Sequence, residues 1–264
     1  MNKKLFIKNF QSFVKELESY VSNENLQWKI KGFIDTDKTI FPISNDTKLV
    51  SKIIELHIFP QIYKFAEEND FTLELPSSQN YYPDLTFIDK KDSNIKYAID
   101  IKTTFIRDTK KYYCDFTLGS HGAYFTDRTS KKNIQYPYQE YKDHFVLGIV
   151  YKQANIKANE TATYQLSDLE RINSTIHSLK FFFIEKWKIA SDKQGSGNTA
   201  NIGGILFKAS DMLNGNGIFK NKSEFDEYWM NYGKIKTQNS DGSYKTIKRL
   251  SDFRNFKKGN NKKL

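Results

Sequence analysis

One cysteine, five prolines and no long apolar run set the first limits on this 264-residue chain. Cys114 alone forms no intrachain disulfide and no cysteine-based zinc site, which points to a reduced, cytoplasmic setting. The longest apolar run, residues 145–151, falls far short of the roughly 20 residues that a bilayer span needs. Residues 1–4 begin like a secretory signal, but Lys8, Asn9 and Gln11 interrupt any apolar core, so a signal peptide and a membrane partner are both excluded. The four histidines, at 57, 121, 144 and 177, fall at no metal-ligand or histidine-nuclease spacing and read as structural or surface residues. Apolar residues make up only 38% of the chain, with a mean hydropathy of −0.66.

What fills the gap is aromatic. With 21 Phe, 16 Tyr and 3 Trp, or 15% of the chain, bulky rings supply a core that the modest apolar fraction would not suggest. The formal net charge is +10 and it is uneven: residues 234–264 carry ten basic and two acidic side chains, a net of +8. A solvated terminal tail and an arm that neutralises nucleic-acid backbone both fit that block.

Residues 2–21 repeat apolar side chains at helical spacing, and 28–34 alternate as a strand followed by a turn at 35–38. Asn45 or Asp46 caps a second predicted helix carrying Leu49, Val50, Ile53, Ile54, Leu56 and Ile58, which Pro60 is expected to kink or split. Short strands follow at 71–75, 84–88 and 96–102, the last two joined by a polar turn as a hairpin. Residues 145–151 read as a buried strand, 179–189 as a second apolar stretch, 191–201 as a loop, 202–207 as a strand and 223–232 as a helix. The expected fold class is α/β (α+β), a central mixed β-sheet flanked by helices, as a single domain over 1–264.

The chemistry concentrates at Pro83-Asp84 and, fifteen residues on, Asp100-Ile101-Lys102. Asp100 and Lys102 lie two apart on one strand and therefore share a face, while Asp84 opens the neighbouring strand. Asp84, Asp100 and the Ile101 carbonyl offer hard oxygen ligands to Mg²⁺, and Lys102 would stand beside an attacking water. The acidic–any–Lys pattern occurs five times in the chain, at Asp46, Asp89, Asp100, Asp108 and Glu140, and an exposed ion pair is its default reading. Asp100 is set apart by the apolar Tyr97-Ala98-Ile99 that leads into it, because a charged triplet ending a buried strand is costly unless paired or metal-bound. Glu55, on or near the apolar face of the second helix, is either a further acid for this site or a solvated helix carboxylate.

Residues 194–201, Gln-Gly-Ser-Gly-Asn-Thr-Ala-Asn, contain a formal G-x-G-x-x-A. A dinucleotide fingerprint would need a helix to follow, and a strand is expected instead. The residues suit either a surface loop or a loop that enters a DNA groove, where Asn bonds adenine bidentately.

Taken together, Ser44-Asn-Asp-Thr-Lys48, Gln79-Asn-Tyr-Tyr-Pro-Asp84, Ala98-Ile-Asp-Ile-Lys-Thr-Thr104, Phe116-Thr-Leu-Gly119, Lys186-Trp187, the 195–203 segment and Gly217-Ile-Phe219 resemble the EcoRV-like type II restriction endonucleases of the PD-(D/E)xK superfamily. The resemblance implies a restriction-endonuclease-like fold and a homodimer on double-stranded DNA, with dimerisation elements near 20–43 and 155–175. A DNA methyltransferase of the same system is implied as well. It places Asp84, Asp100, Lys102 and Glu55 in catalysis, with Asp84, Asp100, Ile101 and Glu55 around Mg²⁺. DNA contacts fall on Gly195, Gly197, Asn198, Thr199 and Asn201 in the major groove, on Gln79 and Asn80 toward the minor groove, and on Asp46, Thr47, Lys48, Thr103 and Lys132; the 234–264 segment, which matches less clearly towards its end, is expected to contact DNA through its charge. The implied target is the hexamer GATATC, cut at its centre to leave blunt ends. Ala200, Tyr81 and Phe105 depart from the family pattern, and the spacing between Phe105 and Tyr136 is longer. A structure-selective repair or junction nuclease on the same scaffold, and a DNA-binding protein without catalysis, are the alternatives.

Overall fold

The computed structural model describes residues 1–106, 116–155, 159–195, 200–204, 209–238 and 241–260. In chain order the described elements are α1 (Lys3–Val21), β1 (Gly32–Ile34), β2 (Ile40–Pro42), α2 (Thr47–Glu68), β3 (Phe71–Glu74), β4 (Leu85–Asp89), β5 (Lys96–Ile106), β6 (Thr117–Ser120), α3 (Ala123–Thr126), β7 (Tyr141–Gln153), β8 (Ile176–Glu185), β9 (Ala190–Gln194), β10 (Asn201–Gly204), α4 (Ala209–Asn214), α5 (Lys222–Asn231), β11 (Lys236–Gln238), β12 (Tyr244–Thr246) and α6 (Leu250–Asn260). This is a mixed α/β architecture.

Its centre is a five-stranded sheet in the order β3-β4-β5-β7-β8, with β5 and β7 parallel and the other pairs antiparallel. The 145–151 run sits inside β7, where strand neighbours on both sides leave no edge for polar residues. Alternation divides the strand between two faces. Phe145, Leu147, Ile149 and Tyr151 join the core under α1 and α2, whereas Val146 and Val150 join a second core with Tyr124, Phe125, Phe225, Tyr228 and Trp229. At Gly148 the ring of Phe182 fills the place of a side chain: a Cβ there would lie 1.9 Å from a ring carbon. The first core is built largely of rings; Phe6 stacks on Tyr97 with centroids 4.3 Å apart, and Phe10 stacks on Phe183 at 4.0 Å.

Four sequence expectations change. Pro60 lies inside one continuous helix; both it and Leu56, whose carbonyl it leaves without an N–H donor, are exposed, so water can satisfy that carbonyl. The 28–34 strand shrinks to Gly32–Ile34, because Trp28 is instead buried and its N–H bonds the Ile176 carbonyl. The 179–189 stretch divides into β8 and a single 3-10 turn, Lys186–Lys188, and the 191–201 loop begins as β9. Residues 205–207 of the 202–207 strand lie outside the described residues, β10 covering Asn201–Gly204.

The described residues of the basic carboxy-terminal block are also folded. β11 and β12 pair, α6 follows, and Ile247, Leu250 and Phe253 are buried. Arg254 grips Glu224 through two nitrogens at 2.7 and 2.8 Å, and Lys257, Lys245 and Arg249 pair with Glu227, Asp252 and Asp192. No described helix is long and apolar enough to cross a membrane.

Candidate active site

Asp84 stands immediately before β4, and the antiparallel register of β4 with β5, Leu85 opposite Ile99, brings it beside Asp100 on the next strand. Its Oδ2 accepts a hydrogen bond of 2.6 Å from the Ile101 amide. Asp100 and Lys102 emerge from one face of β5, as their two-residue spacing requires. The Lys102 Nζ lies 3.0 Å from Asp100 Oδ1 and 3.7 Å from Asp84 Oδ2, and donates to the Ile101 carbonyl at 3.1 Å. One ammonium therefore ties together both acids and the carbonyl singled out from sequence.

The electrostatics of the two acids diverge. Burial, reinforced by the like charge of Asp100, pushes the Asp84 carboxyl up to about 6 against the pull of Lys102. Burial also pushes Asp100 upward, but Lys102 and Lys186 outweigh it and hold that carboxyl below its ordinary value. Burial alone would lower Lys102; Asp100 and Asp84 keep its ammonium above the usual lysine range.

Asp100 is 4% exposed, and its Oδ2 has no hydrogen-bond partner among the described residues. An unpaired buried carboxylate oxygen is expensive unless a cation or water completes it. With Asp84 and the Ile101 carbonyl beside it, the donor set is all hard oxygen, which fits Mg²⁺ or a similar divalent ion that keeps part of its water shell. Glu55 lines the same cleft of ≈ 290 Å³ as Asp84, Ile101 and Gln79, but its carboxylate is paired with Lys52 at 2.8 Å. Accordingly, no cluster of three or more acidic, histidine or cysteine side chains suited to a metal forms among the described residues.

The remaining predicted residues distribute around this centre. Asp46 caps α2, its Oδ1 accepting from the amides of Lys48 and Leu49, and Asp46, Thr47 and Lys48 are exposed. Thr103 points away from Lys102 along the strand alternation and its hydroxyl bonds that of Ser51 on α2. Asn80 and Lys132 are exposed. The Gly195 amide donates to the Asn201 carbonyl at 2.8 Å; Gly197, Asn198 and Thr199 lie outside the described residues. The strand β10 follows the loop, as the rejection of a dinucleotide fingerprint requires.

Sequence reasoning gave no role of its own to Lys186, which is 1% exposed and packs its Nζ 4.2 Å from the centroid of the Tyr82 ring. Its signal was faint: a lysine in the turn that follows the largely apolar β8. His144 is buried and takes a structural part, its Nδ1 paired with the Tyr82 hydroxyl at 2.9 Å.

A family model described as "Restriction endonuclease EcoRV" matches residues 24–258. The chain is 36% identical over 241 residues to the "Type II restriction enzyme EcoRV" of Escherichia coli, covering 91% of this chain and 96% of that protein. Among solved structures, NlaIV restriction endonuclease aligns with a TM-score of 0.42 and 14% identity over 78% of this chain and 69% of that one. On the family match and the near full-length identity, this chain belongs to the EcoRV restriction endonuclease family and is a type II site-specific deoxyribonuclease.

Proposed function

We propose that the chain is a Mg²⁺-dependent endonuclease that acts as a homodimer on GATATC, cutting at the centre to leave blunt ends with 5′-phosphates and 3′-hydroxyls. The observation that carries the catalytic half is the convergence of Asp84, Asp100, the Ile101 carbonyl and Lys102 around an unpaired, buried carboxylate oxygen. Asp84, Asp100 and Ile101 would hold the metal, with Glu55 joining once released from Lys52. When bound, Mg²⁺ supplies Lewis-acid stabilisation of phosphoryl oxygens. Lys102 holds the two carboxylates in register and sets a positive charge where water attacks phosphorus in line, favouring hydroxide and offsetting the charge that develops.

Recognition is assigned to the loop based on Gly195 and Asn201, with Asn198 reading adenine and Thr199 meeting a thymine methyl. Gln79 and Asn80 approach from the minor-groove side; Asp46, Thr47, Lys48, Thr103 and Lys132 act on or near the backbone. Within 234–264, Lys234, Lys236, Lys248 and Lys258 have no ion pair among the described residues and are the cations we assign to phosphates. The dimer reading over 20–43 and 155–175 is supported by exposed Phe33, Ile34 and Phe41 on the β1–β2 ribbon and by Leu166 and Leu169 nearby. Backbone bonds between Ile40 and Tyr164 tie the two segments together, and a two-fold dimer matches a palindromic site. We assign the whole chain to one endonuclease unit.

Two measurements follow. Asn198→Ala should lose roughly 1–3 kcal/mol of discrimination between GATATC and a one-base-altered duplex; cleavage ratios equal to those of the unaltered enzyme would remove the loop assignment. Protons compete with metal for Asp84, so the Mg²⁺ concentration giving half-maximal cleavage should rise as pH falls below about 6, by up to roughly tenfold per unit. Saturating Mg²⁺ should restore the rate, and a Mg²⁺ requirement that stays flat from neutral to acid pH contradicts the assignment.

A further inference from the structure

Lys186 is buried at the end of β8, in the turn Lys186–Lys188, and its Nζ has no hydrogen-bond partner among the described residues. The ring of Tyr82 covers one side of the ammonium. Gly119 leaves room on another: a Cβ there would stand 2.9 Å from the Tyr124 hydroxyl and 3.1 Å from Lys186 Nζ. An ammonium in such surroundings is costly unless an opposite charge lies within reach. That charge is Asp100, the largest acting on Lys186. In return, only Lys102 acts on Asp100 more strongly than Lys186 does.

The register places the two on one face of the sheet, two strands apart and without a direct ion pair between them. Asp100 is level with Val146 on β7, and Val146 with Ile184 on β8, so Lys186 leaves the sheet two residues beyond that level. Asp100 thus has one cation in direct contact, Lys102 at 3.0 Å from Oδ1, and a second, buried one farther off on the same face of the sheet. Burial pulls the Lys186 ammonium down to about 8, with Asp100 opposing, so it carries its charge at neutral pH.

We propose that Lys186 is a positioning residue for the nuclease reaction, acting through Asp100 to balance that carboxylate from the protein side and to moderate the attraction of the acid pair for a divalent cation. The inference rests on the reading that Asp84 and Asp100 hold the metal. With Lys186 in place, Lys102 is not the only counter-ion of Asp100, and its ammonium stays shared with Asp84 and the Ile101 carbonyl. Without it, the surroundings of the pair lose one positive charge and draw a cation more strongly.

The test is a Mn²⁺ titration of the full chain at pH 7, followed by electron paramagnetic resonance without any cleavage step. Lys186→Met should lower the Mn²⁺ dissociation constant by about threefold or more, while Lys186→Arg, which keeps the charge, should stay within about twofold of the unaltered protein. A lysine that only supports the fold would leave Mn²⁺ binding in Lys186→Met unchanged or weaker; either result overturns the proposal, as does an equal shift in Lys186→Arg. If Lys186→Met does not fold, Lys186→Gln is held to the same criterion, and failure of both to fold makes Lys186 structural and overturns the proposal. The underlying metal reading fails separately, if Asp84→Asn binds Mn²⁺ as tightly as the unaltered protein.

Discussion

Lys102→Ala should bind DNA and cleave it about 10³-fold more slowly or worse, a loss of roughly 4 kcal/mol in transition-state stabilisation. The side chain is placed to act twice. Its ammonium bridges Asp100 Oδ1 and Asp84 Oδ2 and bonds the Ile101 carbonyl, so it keeps two like charges together before any cation arrives. It is also the positive group nearest to where water meets phosphorus in the proposed reaction. Truncation removes both effects and lets the carboxylates repel, whereas phosphate contacts on other elements are untouched. Single-turnover cleavage by the purified, folded variant checks this, and a rate within tenfold of the unaltered enzyme would refute the role. Asp84→Ala should lose activity on the same scale, since it removes one of the two carboxylates.

Phe6→Ala should cost roughly 3–5 kcal/mol of folding stability, the usual range for a large ring removed from a closed core. Phe6 is fully buried on α1 and touches rings from all five strands of the central sheet: it stacks on Tyr97 and lies 5.2 to 5.9 Å from Phe71, Phe87, Phe145 and Phe183. No neighbouring chain segment can close such a cavity without moving the sheet. Yet α1 precedes the stretch matched by the family model, which begins at residue 24. The central sheet that carries the candidate site nevertheless packs its core against this helix. Because Phe6 packs on the face of β5 opposite to Asp100, activity per folded molecule should be retained. Urea unfolding reads the effect; a loss under about 1 kcal/mol would mean that α1 is not integral to the core.

These two residues also show what could be read without coordinates. Period-two alternation placed Asp100 and Lys102 on one face, and the polar turn between two apolar runs placed Asp84 across from them, because both rules are local. Helical spacing in 2–21 marked the ring-bearing face of α1 for the same reason. Where distant partners decide, the sequence was mute. Trp28 has the alternation of a strand but is taken by Ile176 and the core. The carboxy-terminal charges read as a loose arm, yet several are consumed by Glu224, Glu227, Asp252 and Asp192, acids 7 to 57 residues earlier or later in the chain. Glu55 was placed near the site by its helix face, but its pairing with Lys52 depends on rotamers that no pattern specifies. Lys186 is the extreme case: only the pairing of β5 with β7 and of β7 with β8 sets it on the same face of the sheet as Asp100.

The central claim is that the acids at 84 and 100 make this chain a metal-dependent, sequence-reading nuclease. Digestion of a plasmid carrying one GATATC site, with and without Mg²⁺, followed by sequencing of the ends, tests it most directly. The account predicts no cutting without metal and, with it, a single linear product with blunt ends at the centre of the hexamer, each bearing a 5′-phosphate. Cutting at junctions or flaps without a hexamer preference, or binding with no cutting at any Mg²⁺ concentration, would contradict it.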